Sequence, residues 1–149
     1  DAKHRILATK LFADATKGDI LKIPSRFAEE SKDRGKIFMA GSEVFKVAVR
    51  NMIECSEKLL SENNIKPEEV DFFIFHQANI RIIDMAIKHF NIPAHKTWIN
   101  VEKYGNTSAA TLPVALDEAM RAGAVKPGQL VLVATFGGGL VWGGALFRL

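Results

Sequence analysis

The sequence holds one cysteine, one tyrosine and two tryptophans in 149 residues. The lone Cys55 can form no internal disulfide, so the fold does not rest on a disulfide framework and a reducing cytoplasm is the expected setting. No Cys or His pair has metal-ligand spacing, and no metal site is expected. No apolar run is long enough to span a bilayer, and Asp1-Ala-Lys-His4 does not open a signal peptide, so no membrane partner is expected either. Neither sign of charge dominates: 20 Lys and Arg interspersed with 17 Asp and Glu leave a net +3, which does not point to nucleic acid. The phosphate-cradling pattern G-x-G-x-x-G is missing, as are internal repeats, low-complexity tracts and any linker that would divide the chain.

The composition that remains, 48% hydrophobic and 25% charged, is that of a globular protein. A chain of this length makes one domain and can bury roughly 70% of its unfolded surface.

Apolar patterning predicts strands at Ile6 to Ala13 and at Asp19 to Ile23, with a turn at Lys17-Gly18 between them and Pro24 closing the second. Ser25 to Lys36 is polar and reads as a loop. From Ser42 to Leu60 the residues Phe45, Ala48, Met52, Cys55 and Leu59 form a helical stripe, closed by Asn63-Asn64. Pro67-Glu-Glu suggests a helical turn before Asp71-Phe-Phe-Ile-Phe75, a fully apolar run that suits a parallel strand buried on both faces. A helix at Ile80 to Phe90, a strand at Thr97 to Val101 and a helix from Leu112 to Ala122 ending at Gly123 follow. Strands at Leu130 to Thr135 and Leu140 to Arg148 close the chain, and the triple glycine between them suggests an antiparallel hairpin. Helices alternating with strands imply βαβ crossovers, so the expected class is α/β, with a mixed five-stranded sheet and helices on both faces.

Three turns fall just beyond apolar strands, at the edge where open α/β sheets bind ligands. His76 follows the Phe72 to Phe75 run and precedes a helix; it either serves a ligand or only caps that helix. Asn106 lies beyond the Thr97 to Val101 strand, where an Asx turn or helix cap is the simpler role for an asparagine. Phe136-Gly-Gly-Gly139 is the third turn, and its glycines allow backbone N–H groups to approach a ligand oxygen closely, although they also suit a plain hairpin. Together the three make a pocket hypothesis. Cys55 falls on an apolar helical stripe, away from any helix N-terminus or cation that would activate it, and reads as a core thiol. His4, His89 and His95 read as surface residues, Trp98 and Trp142 as strand packing.

In order and spacing, His76-Gln-Ala-Asn79, Tyr104-Gly-Asn-Thr-Ser-Ala-Ala110, Leu116-Asp-Glu-Ala119, and Phe136-Gly-Gly-Gly139 with Trp142-Gly143 resemble 3-oxoacyl-[acyl-carrier-protein] synthase III. Met39 to Val49 looks like that family's long helix, and the resemblance runs from about Ala13 to Leu149. It implies a thiolase-like fold, in which two similar α/β halves pack as five layers and two chains pair as a homodimer. This chain corresponds to the C-terminal half. The family's cysteine nucleophile belongs to the N-terminal half, ahead of Asp1, so the isolated chain is expected to be inactive in condensation and to expose surface that its twin would cover.

The resemblance also implies the chemistry. The cysteine accepts an acyl group from acyl-coenzyme A, malonyl-acyl carrier protein is decarboxylated, and its carbanion attacks the acyl thioester, which initiates fatty acid synthesis. Coenzyme A enters as a thioester substrate, and no cofactor is implied. His76 and Asn106 match the two remaining catalytic positions, as neutral donors to the enolate oxygen. Gly138 matches an oxyanion-hole position, Asn79 a residue of the pantetheine tunnel, Phe136 one beside the reacting groups, and Arg81 and Lys88 the carrier-protein dock. A histidine paired with an asparagine separates this pattern from elongating synthases, which use two histidines. Two alternatives stay open: a related synthase priming polyketide or alkylquinolone formation, and a scaffold domain that keeps the fold without the activity.

Overall fold

The computed structural model describes residues 4–25 and 35–149. Among the described residues four strands form one mixed sheet in the order β1-β6-β5-β4: β1 is Arg5–Ala13, β4 Phe72–Phe75, β5 Leu130–Gly137 and β6 Val141–Arg148. β4 runs parallel to β5, while β6 is antiparallel to both β5 and β1. The glycine turn therefore does make an antiparallel hairpin. A second, two-stranded sheet pairs β2, Leu21–Lys22, with β3, Phe38–Met39.

The central strand follows from its composition. All four residues of β4 are buried, and their alternation divides them between two cores: Phe73 and Phe75 on one face of the sheet, Phe72 and Ile74 on the other. Fully burying each of these side chains contributes roughly 1.5–3 kcal/mol. The first face is covered by α1, Gly41–Glu62, and α2, Ile80–Phe90, through Ala48, Met52, Leu60, Ile82, Ile83 and Ala86. The second is covered by α4, Thr111–Arg121, through Ala115 and Ala119. Helices thus lie on both faces, and the stripe expected on α1 is the buried one, with Phe45 at its half-buried end.

β6 passes close to its neighbours, and there glycine is required. A Cβ on Gly144 would sit 2.5 Å from the Val133 carbonyl oxygen and 2.9 Å from Leu59 Cδ1, and one on Gly143 would sit 2.6 Å from the Lys10 carbonyl oxygen. At Gly144 the face of β6 packs its backbone directly against the α1 side chains Leu59 and Cys55.

Two strand expectations do not hold. Thr97 to Val101 makes a single parallel bridge, Phe73 to Thr97, so the fifth strand of the sheet is reduced to that bridge. The next residues turn away, and α3, Val101–Tyr104, is a one-turn helix. The reason is side-chain chemistry: Trp98 and Asn100 direct their N–H groups to Glu118 on α4. The Asp19 to Ile23 strand shrinks to β2, because Asp14 accepts from the Thr16 backbone N–H at 3.0 Å and starts a 3₁₀ turn over Ala15–Ile20. The Lys17-Gly18 turn falls inside it. Most of the polar Ser25 to Lys36 loop lies outside the described residues.

Candidate active site

A cavity of about 1700 Å³ opens at the carboxyl ends of β4 and β5, and its walls include His76, Asn79, Arg81, Asn106, Phe136 and Gly138. Six of the seven residues singled out from the sequence therefore share one site. Lys88 is not among those lining it; it lies two turns further along α2, exposed to solvent.

His76 continues the β4 ladder by one bond, its backbone N–H donating to the Ala134 carbonyl at 2.9 Å. The residue is buried, at 6% exposure. Nδ1 lies 2.5 Å from the hydroxyl of Thr111, the first residue of α4, and the Phe136 ring stands edge-on to the imidazole with centroids 5.2 Å apart. Nε2 is then the ring nitrogen left for the cavity. Burial pushes the His76 pKa below the ordinary imidazole value, so the ring is neutral at pH 7.

Asn106 does form the Asx turn that its residue type favours: Oδ1 accepts from the Ser108 backbone N–H at 2.9 Å. That bond commits the acceptor side of the amide and leaves Nδ2, a donor, unengaged among the described residues. Asn79 repeats the device as the N-cap of α2, its Oδ1 accepting from the Arg81 backbone N–H at 2.9 Å. In both cases the bland role and the functional one are compatible, because each uses a different atom of the amide. Gly138 is exposed at the hairpin, with Leu21 across from it: a Cβ there would lie 3.2 Å from the Leu21 carbonyl oxygen.

Arg81 is exposed at the cavity edge, its guanidinium 5.4 Å from the centroid of the Phe45 ring. His89 is paired with Glu57 at 2.8 Å, tying α2 to α1. Cys55 is completely buried, and burial first, then the Glu54 charge, pushes its thiol up to about 11. It does not line the cavity.

Two buried polar residues that sequence patterning did not single out are Thr111, which lines the cavity, and Gln77, which follows His76. Thr111 is 35 residues from His76, and no local spacing announces the pairing. Gln77 carried a signal: an amide two residues beyond a buried strand is buried with it, here to 1% exposure, and must find partners. Among the described residues no helix is long and apolar enough to cross a membrane, and no three His, Cys, Asp or Glu side chains gather as a metal site would require.

Residues 60–149 match the family described as 3-oxoacyl-[acyl-carrier-protein (ACP)] synthase III C terminal. The chain belongs to that family. Over 146 residues it is 45% identical to the beta-ketoacyl-[acyl-carrier-protein] synthase III of Aquifex aeolicus, a match covering 98% of this chain and 45% of that protein. The crystal structure of the Thermus thermophilus synthase III superposes with a TM-score of 0.91 at 35% identity, over 100% of this chain and 47% of that one. The priming beta-ketosynthase of the R1128 polyketide pathway superposes with a TM-score of 0.87 at 30% identity, over 97% of this chain and 45% of that one. This synthase III domain thus has the thiolase-like α/β fold expected from its motifs, and it spans about half the length of the relatives it matches.

Proposed function

We propose that the chain is the His/Asn half of a condensing enzyme that initiates fatty acid synthesis from an acyl-coenzyme A primer and malonyl-acyl carrier protein. The observation that carries the reading is the paired commitment of His76 Nδ1 to Thr111 and of Asn106 Oδ1 to Ser108, which leaves His76 Nε2 and Asn106 Nδ2 without a partner among the described residues at one cavity.

A cysteine thiolate from the enzyme's other half takes the acyl group and releases coenzyme A. The malonyl thioester then loses carbon dioxide, and the electron pair of the broken C–C bond passes to the thioester as an enolate. His76 Nε2–H and Asn106 Nδ2–H donate to the enolate oxygen, provided the Thr111 hydroxyl gives its proton to Nδ1 and so leaves the imidazole proton on Nε2. A neutral imidazole suits this step, since an imidazolium would protonate the carbanion and end the reaction. The enolate carbon attacks the acyl-cysteine carbonyl, whose developing oxyanion meets the Gly138 backbone N–H. Cysteine leaves, and 3-oxoacyl-carrier protein is formed. Phe136 packs against the reacting groups, Asn79 lines the pantetheine path, and Arg81 with Lys88 receives the acidic carrier protein.

The complete enzyme is read as a cytoplasmic homodimer in which the cysteine half covers this one. Leu11, 88% exposed, and Val141, 47% exposed, line the cavity and support such a cover. The likeness to the R1128 priming synthase supports a second reading, in which the same chemistry supplies a polyketide starter. Competition between primers in one assay separates the two.

The deciding experiment uses the complete enzyme with His76→Ala and Asn106→Ala. Each should slow malonyl decarboxylation and condensation by roughly 10²-fold or more while the cysteine is still acylated by acyl-coenzyme A. A variant condensing at the wild-type rate would remove the assignment.

A further inference from the structure

The turns carrying His76 and Asn106 are joined by hydrogen bonds that the chemistry above does not use. Gln77 follows His76; its Nε2 donates to the Phe75 carbonyl at 2.8 Å and the Trp98 carbonyl at 3.3 Å, while its Oε1 accepts from the Asn100 backbone N–H at 3.0 Å. From there the connection passes to α4. Glu118 Oε2 accepts from Asn100 Nδ2 at 2.8 Å and from Trp98 Nε1 at 3.2 Å, and its Oε1 accepts from the Tyr104 hydroxyl at 2.6 Å and from Lys103 Nζ at 2.9 Å.

All four donors lie between Trp98 and Tyr104, the stretch that ends just before Asn106; among the described residues the sheet holds it at Thr97, by one bridge and by the Thr97 hydroxyl donating to the Phe73 carbonyl at 2.9 Å. Backbone pairing therefore does not fix the Asn106 turn. What fixes it is a carboxylate on the same helix whose first residue, Thr111, holds the His76 ring. Only an ionised carboxylate suits the position. It offers acceptors alone to four donors, whereas a glutamine would set its own NH₂ against two of them and an aspartate would fall short by one methylene. Three of the donors are neutral, and the carboxylate is 20% exposed, so this is no ordinary surface ion pair.

We propose that Glu118 and Gln77 are positioning residues that hold the Asn106 turn at its working distance from His76. The proposal rests on the reading of the site as a condensing centre and adds residues that touch no substrate.

The test uses the complete enzyme with Glu118→Leu, Glu118→Gln and Tyr104→Phe, and His76→Ala as the reference. Glu118→Leu should lower kcat for malonyl decarboxylation by roughly 10²-fold, the cost of misplacing one reacting group by about 1 Å, with the KM for malonyl-carrier protein and the rate of cysteine acylation within a few-fold of wild type. Glu118→Gln and Tyr104→Phe should fall between, in that order, and they keep the test open if the leucine variant does not fold. Amide hydrogen exchange over 98–108 should speed up while β4 and β5 keep their protection. An unchanged kcat, or acylation and decarboxylation falling together, would overturn the proposal. If His76→Ala itself decarboxylates normally, the condensing reading fails, and the exchange pattern alone then decides whether Glu118 holds the turn.

Discussion

Thr111 places its hydroxyl 2.5 Å from His76 Nδ1, joining the end of β4 to the start of α4 across 35 residues of chain. Both residues are buried, at 2% and 6% exposure, so the contact is made without competition from water. It leaves Nε2 as the ring nitrogen available to the cavity. It also anchors, through α4, the carboxylate on which the Asn106 turn hangs.

Replacing Thr111 with valine keeps the shape and removes the hydroxyl. In the complete enzyme Thr111→Val should lower the decarboxylation rate by roughly tenfold or more, the effect of leaving one buried group unpaired at ~1–3 kcal/mol. Acylation of the cysteine should be untouched. Single-turnover assays with radiolabelled acyl-coenzyme A and malonyl-carrier protein separate the two steps, and equal losses in both would mean that the hydroxyl only holds the fold.

The depressed pKa of His76 and of Glu118 act on stability in the same direction but in separate windows. As pH falls below 6.5 the unfolded chain protonates its histidine while the buried ring resists, so folding loses ground there. Glu118 is held at about 2, by the Tyr104 hydroxyl first and then by Asn100, Lys103 and Trp98; its contribution is full above 4.5 and is lost between 4.5 and 2. Denaturation midpoints of wild type, His76→Gln and Glu118→Gln at pH 7.5, 5.5 and 3 check this. The first variant should flatten the upper interval relative to wild type and leave the lower one, and the second should do the reverse.

Motif and periodicity were enough where one residue's position decides the outcome. The alternation within Phe72 to Phe75 places Phe73 and Phe75 in one core and Phe72 and Ile74 in the other, and the run of His76, Asn106 and Phe136-Gly-Gly-Gly139 beyond successive apolar segments puts them at one edge. What stayed hidden depends on partners distant in the chain. Thr97 to Val101 has strand composition, yet Glu118, some twenty residues later, draws Trp98 and Asn100 out of the sheet. Leu21–Lys22 pairs with Phe38–Met39, and two such short segments carry too little pattern to announce themselves. Lys88 shares a helix face with Arg81, but seven residues of helix, roughly 10 Å, carry it beyond the cavity wall.

Cys55→Ala should leave turnover within a few-fold of wild type, because the thiol lies against the sheet and away from the cavity. A loss of about 1 kcal/mol in stability is expected from the emptied space. With its pKa pushed up to about 11 and no exposed surface, Cys55 should react slowly with small thiol reagents in the native protein and quickly once unfolded. Rapid native labelling accompanied by inactivation would contradict a packing role.

The carrier-protein dock is the part of the proposal most open to kinetics. Arg81 sits at the mouth of the cavity, exposed, with its guanidinium braced against the Phe45 ring rather than against a carboxylate. Asp84, three residues on, is close enough in sequence to pair with Arg81 or with Lys88, and among the described residues it forms an ion pair with neither. The positive charge of this helix face is therefore not cancelled from within the helix. His89 adds nothing to it, being engaged by Glu57. An acidic carrier approaching the cavity meets Arg81 first and Lys88 behind it, so reversing the first charge should cost more than reversing the second. Arg81→Glu should raise the KM for malonyl-carrier protein severalfold, with Lys88→Glu a smaller rise, and both effects should grow as ionic strength falls and the Debye length increases. The KM for acyl-coenzyme A should change less, since a small nucleotide thioester does not span that face. Steady-state kinetics at about 20 mM and 200 mM salt provide the comparison. A carrier KM unchanged at the lower salt would show that the basic face of α2 is only solvated, and the dock would have to be sought elsewhere.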